Sequence, residues 1–200
     1  MKIYPDPHEY HVFIENTTKG ENTFIGPFCI IGAWGENLFG FGEITGRVWI
    51  GDRTVITGLA SIDASTLDQP TKLGADCFMM KHAHIGHDAE VKDHCILAVG
   101  CIIGGHCVIH NYCHIGLNAV INPRIVIPPF VRIGAGSVVT VSRAKQMLPF
   151  EIWAGNPAKK LGPNTKLIEQ LKFTDFEVQK IIESWIDDTY SDNYSNVREA

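Results

Sequence analysis

The segment "HAHIGHDAEV", residues 82–91, holds three histidines and an aspartate within seven positions. Such a set supports three chemistries. Imidazoles ligate metals, a neutral imidazole serves as a base near neutral pH, and a neighbouring carboxylate orients that imidazole. Which one applies depends on what the surrounding chain places beside the cluster.

That chain is built on an internal repeat. Stepping by six from Leu73, it reads Leu73, Met79, Ile85, Val91, Leu97, Ile103, Ile109, Ile115, Ile121, Ile127, Ile133 and Val139, twelve aliphatic leaders without a slip. Four residues after each of the first eleven stand Cys77, Ala83, Ala89, Cys95, Cys101, Cys107, Cys113, Ala119, Ile125, Val131 and Ser137, a mostly small register. A period of six is neither the 3.6 of a helix nor a sustained alternation of two. It fits a short strand plus a corner, with the leader and the small residue inside. Glycine after the leader, as at Gly74, Gly86, Gly104, Gly116 and Gly134, is expected to supply a positive-φ corner. Three steps make a triangular coil of 18 residues, stacked on the next at about 4.8 Å.

Upstream, Ile25 and Ile31 lead two steps, and Ile50, Ile56 and Ile62 lead three more one residue out of phase, so loops must leave the coil at 32–47 and 63–71. Downstream, the repeat ends at Val139. The stretch 148–164, with Pro149, Pro157 and Pro163, is expected to close the stack, Trp153 covering its end. A short helix follows around Thr165 to Leu171. An amphipathic one then opens on a Thr174/Glu177 capping box, with Phe176, Ile181, Ile182, Trp185 and Ile186 apolar. The expected organisation is a β-helix over 1–147, a closing segment with helices over 148–188, and a disordered tail over 189–200.

With 200 residues and a net charge of −5, the chain offers no basic footprint for nucleic acid or an anionic membrane surface. The first residues lack the apolar core of a signal peptide and no stretch is long enough to span a bilayer, which makes the cytoplasm the expected compartment. Cys29, Cys77, Cys95, Cys101, Cys107 and Cys113 share the small inward register and show no C-x-x-C spacing, so they read as small core hydrophobes.

None of His82, His84, His87, His94, His106, His110 and His114 falls in an interior register, so all are expected outside or at corners. Most need no role beyond a polar exterior. His87 differs. One coil above it stands Gly105, which leaves the space over the imidazole bare, while Asp88 follows it in sequence and lies one coil below His106. A base near its usual pKa beside an open backbone N–H meets the needs of acyl transfer. No activated serine or cysteine accompanies the cluster, so direct transfer from a thioester is expected rather than an acyl-enzyme.

The six-residue repeat, the closing "AGNPAKKL" and the helical tail resemble the left-handed parallel β-helix acyltransferases, over roughly Ile25 to Asp188. The fold class implied is all-β, a left-handed parallel β-helix with ejected loops and a short C-terminal helical tail. "HIGHDAEVKDHCILAVGCIIGGHCVI" is similar to the H-x-x-H-D segment of the UDP-N-acetylglucosamine acyltransferases, whose second histidine is the general base. The resemblance implies His87 as base, Gly105 as backbone oxyanion donor, and His84 and His106 as substrate contacts. Related sugar N-acetyltransferases imply an orienting role for Asp88. Asn122 stands where the lipid A enzymes carry a further substrate histidine. "AGNPAKK" is similar to the region where small acetyltransferases meet coenzyme A, implying contacts from Asn156, Lys159 and Lys160; for Asn156 a simple chain turn explains the residue equally well.

The activity implied by the resemblance is transfer of an acetyl or other acyl group from acetyl-coenzyme A or another acyl thioester, with acyl carrier protein an alternative carrier. The acceptor is a sugar or nucleotide sugar, the assembly a homotrimer, and no metal, nucleic acid or membrane is expected. Two rivals stand beside this reading. A γ-carbonic anhydrase would use His82 and His87 around zinc, but the only upstream histidines are His8 and His11, before the first coil. A non-catalytic β-helix needs none of the cluster.

Overall fold

The computed structural model describes residues 13, 14, 16–35 and 46–191. From Phe78 to Val139, two-residue strands recur every six residues, each ending on one of the predicted leaders. Every leader from Leu73 to Val139 is fully buried, as are Ile31, Ile50, Ile56 and Ile62 upstream, and Ile25 is nearly so. The small register is buried throughout, all six cysteines included. Period six thus fills the interior twice per step, with a branched side chain and then a small one.

The strands assemble into three parallel sheets, here A, B and C, and each step of the chain moves to the next sheet. Partners lie eighteen residues apart: His84 pairs with Ile102 in sheet A, Glu90 with Val108 in sheet B and Ile96 with His114 in sheet C. The result is a left-handed parallel β-helix followed by short helices. Register also locates the ejected loops. Ser61 pairs with His84 twenty-three residues on, and Ile30 pairs with Ser61 thirty-one residues on, so extra chain leaves the coil before both Thr71 and Val48. The first loop, expected at 32–47, lies partly outside the described residues.

The corners correct one expectation. From Leu73 onward, positive φ does not fall on the glycine after the leader but two residues later, at Asp76, His82, Asp88, His94, Gly100, His106, Tyr112, Asn118, Arg124, Phe130 and Gly136, one per step. A left-handed conformation costs an ordinary residue roughly 1–2 kcal/mol, less for Asn, Asp and His, and the column is rich in these types. Several histidines are therefore corner residues. The glycine after the leader has another reason: a Cβ on Gly86 would stand 2.8 Å from the amide nitrogen of Gly105, and one on Gly104 would stand 2.6 Å from that of Pro123. Coil-to-coil contact there is too close for a side chain.

Residues 151–154 add a strand to sheet C, with Trp153 paired to Ile133, and then fold back antiparallel onto residues 159–163. Trp153 is buried and its Nε1–H donates to Glu151 Oε2 at 2.7 Å. Three helices follow the repeat: α1 (Val141–Ala144), α2 (Thr165–Leu171) and α3 (Asp175–Ser191). The capping box forms, with Glu177 accepting from the Thr174 amide at 2.8 Å and Thr174 Oγ1 accepting from the Glu177 amide at 3.3 Å. α3 runs three residues past the predicted limit of 188; residues 192–200 of the predicted tail lie outside the described residues. Its apolar positions are only partly covered, Phe176 being 77% exposed, while Trp185 packs edge-on against His110. No helix among the described residues is long and apolar enough to cross a membrane.

Candidate active site

His87 sits in the corner between sheets A and B, immediately before the positive-φ residue Asp88. That backbone aims the aspartate back at its neighbour: His87 Nδ1 and Asp88 Oδ2 are 2.7 Å apart. The loop after Asp63 then locks the carboxylate. The amides of Thr66 and Leu67 donate to Asp88 Oδ1 at 2.9 and 3.0 Å, and Thr66 Oγ1–H donates to Oδ2 at 2.6 Å. Thr71 Oγ1 accepts the Asp88 amide at 2.8 Å. Burial disfavours the charged carboxylate, but the hydrogen bonds from His87, Thr66 and Leu67 outweigh it and hold Asp88 at a pKa of about 2. It stays anionic through all ordinary conditions.

An anion fixed on Nδ1 sets the ring's tautomer. With its Nδ1–H donated to Asp88, neutral His87 presents Nε2 as a lone pair, and Nε2 faces Gly105. A Cβ on Gly105 would lie 2.9 Å from that nitrogen. The space over the ring predicted to be bare is therefore a tight fit of imidazole against backbone, with room for the ring and not for a methyl group. The Gly105 amide has no hydrogen-bond partner among the described residues, while its carbonyl accepts from Arg124 at 2.9 Å. From below, a Cβ on Gly35 would meet His87 Cβ at 2.8 Å, so two glycines frame this side chain.

The predicted pKa of an ordinary histidine does not hold. The hydrogen bond to Asp88 raises His87 above the usual imidazole value; burial opposes this, and the charges of Asp88 and Asp63 add to it. His106 moves the other way, lowered chiefly by burial. The two rings meet edge to face at 5.0 Å, and His106 Nε2 is 3.8 Å from Asp88 Oδ2. The ring bonded to Asp88 therefore holds a proton more readily than a free imidazole, and its neighbour less readily.

His84, one strand earlier on sheet A, lies beside a different acid. Its Nδ1 is 2.8 Å from Ser61 Oγ and its Nε2 is 3.7 Å from Asp63 Oδ2. Asn122 stands one coil above Gly104 and two above Gly86, on the same flank of the corner. Asn156 and Lys159 are exposed, but residues 155 and 158 hydrogen-bond to Val138, which lies three pairings along sheet A from His84 or roughly 14 Å at the usual spacing. The structure does not bring them to His87. Lys160, expected to face coenzyme A, has its ammonium paired with the buried carboxylate of Glu151, the same group that holds Trp153.

Sequence reasoning missed Thr66, Leu67 and Thr71, which come from a loop whose return path no local pattern encodes. It also missed Arg124, which continues the Asp88–His106 column by one coil and has no ion-pair partner among the described residues. The period of 18 did place Arg124 there.

Among the described residues, the groups able to gather round a metal are His87, Asp88 and His106, with ligand atoms within 4.8 Å of one another. His82 is a corner residue outside that group, and His8 and His11 lie outside the described residues. Ligands about 2.0–2.2 Å from a tetrahedral zinc stand roughly 3.3 Å apart. The 2.7 Å between His87 Nδ1 and Asp88 Oδ2 is instead the length of a hydrogen bond. Elemental analysis of the purified protein is expected to find no stoichiometric zinc, and chelator treatment to leave its activity unchanged. One tightly held zinc per chain would bring back the anhydrase reading.

No protein-family profile matches the chain. Solved structures do. A UDP-N-acetylglucosamine acyltransferase, LpxA from Bacteroides fragilis, superposes with a TM-score of 0.77 at 22% identity, over 87% of this chain and 67% of that one. The chain has the fold of these acyltransferases. A second UDP-N-acetylglucosamine acyltransferase matches at 0.76 and 27% identity over 87% and 66%, and LpxA from Acinetobacter baumannii at 0.70 and 23% over 87% and 78%. The chain spans about two thirds of the length of the first two.

Proposed function

We propose that the protein is an acyltransferase that moves an acyl group from a thioester to the amine or hydroxyl of a sugar, His87 acting as general base. The observation that carries this reading is the His87 ring itself, pinned through Nδ1 to a held carboxylate at 2.7 Å with Nε2 turned to the bare backbone of Gly105. The fold shared with enzymes of UDP-N-acetylglucosamine acylation supports it.

In this reading the acceptor N–H or O–H attacks the thioester carbonyl while its proton passes to His87 Nε2. Asp88 stabilises the imidazolium, and the unpartnered Gly105 amide donates to the oxyanion of the tetrahedral intermediate. Collapse breaks the C–S bond, and the departing thiolate takes the proton back from Nε2, so base and charge are restored. His106, kept neutral, donates to the acyl or acceptor group. His84 and Asn122 flank the acceptor, a nucleotide-linked amino sugar, and the free guanidinium of Arg124 suits its phosphates. Coenzyme A is the donor carrier, with Asn156 and Lys159 along its length. The assembly is a homotrimer in the cytoplasm.

Release of thiol from acetyl-coenzyme A, measured against a panel of nucleotide amino sugars, tests the reaction; no acceptor-dependent release with any donor length would refute it. The pH profile tests the base. Only neutral His87 accepts a proton, and its pKa is raised, so the acid limb of kcat/KM should lie above the ordinary imidazole range, with rate lost as pH falls through that value. Asp88→Asn removes the largest cause of the rise and should move the limb to lower pH while lowering the plateau. A limb that stays put would take Asp88 out of this role.

A further inference from the structure

Away from His87, the outer face of sheet C and the helix α2 enclose a cleft of about 590 Å³. None of the residues grouped around His87 lines it. Its floor is a row of outward side chains brought into line by strand register: Phe78 beside Ile96, Ile96 beside His114, His114 beside Arg132. At about 4.8 Å per step, the row runs from two apolar side chains through an imidazole to a guanidinium over roughly 14 Å. Phe78 and Ile96 are 38% and 37% exposed, large apolar groups open to the cleft. Lys166, on α2, brings a second cation to the lining.

The charge in this cleft is not cancelled. Its one acid, Asp76, is tied to Arg53 by two hydrogen bonds of 2.6 and 2.7 Å. Arg132 and Lys166 have no ion-pair or side-chain hydrogen-bond partner among the described residues. Burial, and then the charge of Arg132, lower the pKa of His114, which leaves a neutral imidazole between the apolar and cationic ends. The flank is a ladder of rings, His94 stacked on Tyr112 at 4.5 Å and Tyr112 on Phe130 at 5.3 Å. His94 and Tyr112 also line the cleft. A volume within the usual range of small-molecule sites, an apolar end and unspent positive charge at the other end together describe a ligand.

We infer that this cleft binds an amphiphilic anion, its carboxylate or phosphate head on Arg132 and Lys166 and its apolar body along Ile96 and Phe78. This site is independent of the acyl-transfer reading and uses none of its residues. Isothermal titration of the full chain with octanoate and with octyl phosphate tests it, the tighter head identifying the natural chemistry. At least one of the two should saturate a single site. Octanol, lacking the charge, and inorganic phosphate, lacking the body, should each bind at least about tenfold more weakly. Loss of one charge-assisted contact in Arg132→Ala should weaken binding roughly ten- to a hundredfold. Lys166→Ala, on a surface helix, gives the same reading if the Arg132 variant does not fold. His87→Ala should bind the amphiphile as wild type does. The inference is overturned if neither amphiphile saturates, if inorganic phosphate or octanol binds as tightly, if the folded cation variants bind undiminished, or if binding is lost with His87.

Discussion

His87→Ala is expected to cost roughly 10² to 10⁴ in acyl transfer while the protein folds as before. That loss corresponds to roughly 3 to 5 kcal/mol of transition-state stabilisation. The fold should survive because His87 is a partly exposed corner side chain outside both interior registers, so truncation opens no cavity in the coil. Asp88 keeps its bonds from Thr66 and Leu67, and so is not left buried and unpaired. A thermal midpoint within a few degrees of wild type is the expected companion result. His84→Ala should lose much less, since His84 is held by Ser61 and touches neither Asp88 nor Gly105 in the way His87 does. Equal transfer by wild type and His87→Ala, assayed with the same donor and acceptors, would return the cluster to scaffold decoration.

Ile103→Asp is expected to abolish folding. Ile103 is fully buried between Ile85 and Ile121 in sheet A. Losing its packing costs about 2–5 kcal/mol, and a carboxylate without a partner in the coil interior adds several more. Together these match the whole margin of an ordinary domain, roughly 5–15 kcal/mol. Lys92, whose ammonium lies 2.7 Å from Glu90 at the surface, should by contrast accept alanine with little change. Circular dichroism and a thermal scan of the two variants decide the matter. Soluble Ile103→Asp protein melting with wild type would refute the interior register.

The coil was legible because its physics repeats. A position that must be aliphatic in one step must be aliphatic in every step, so twelve leaders reinforce one another, and the same count of 18 set Asp88 under His106 and Gly105 over His87. The corner conformation was written there too, in the Asp, His, Asn and Gly of every third position after a leader, but attention to glycine alone put it two residues early. What the repeat does not govern was not legible. Thr66 reaches Asp88 from a loop outside the period, and whether Lys160 faces solvent or Glu151 depends on how an irregular segment folds back. The pKa of His87 depends on that same loop, since the carboxylate that raises it is held by Thr66.

The antiparallel return of residues 159–163 has a consequence for the molecule's length. A parallel coil has no intrinsic stopping point: each turn offers its successor the row of amides and carbonyls that it used itself, and a second molecule would fit that template as well as the next turn does. Reversing direction at residues 155–158 puts a strand of opposite polarity on sheet C, with Pro163 at its far end unable to donate. On this sheet the hairpin ends a pattern that would otherwise favour end-to-end growth into filaments.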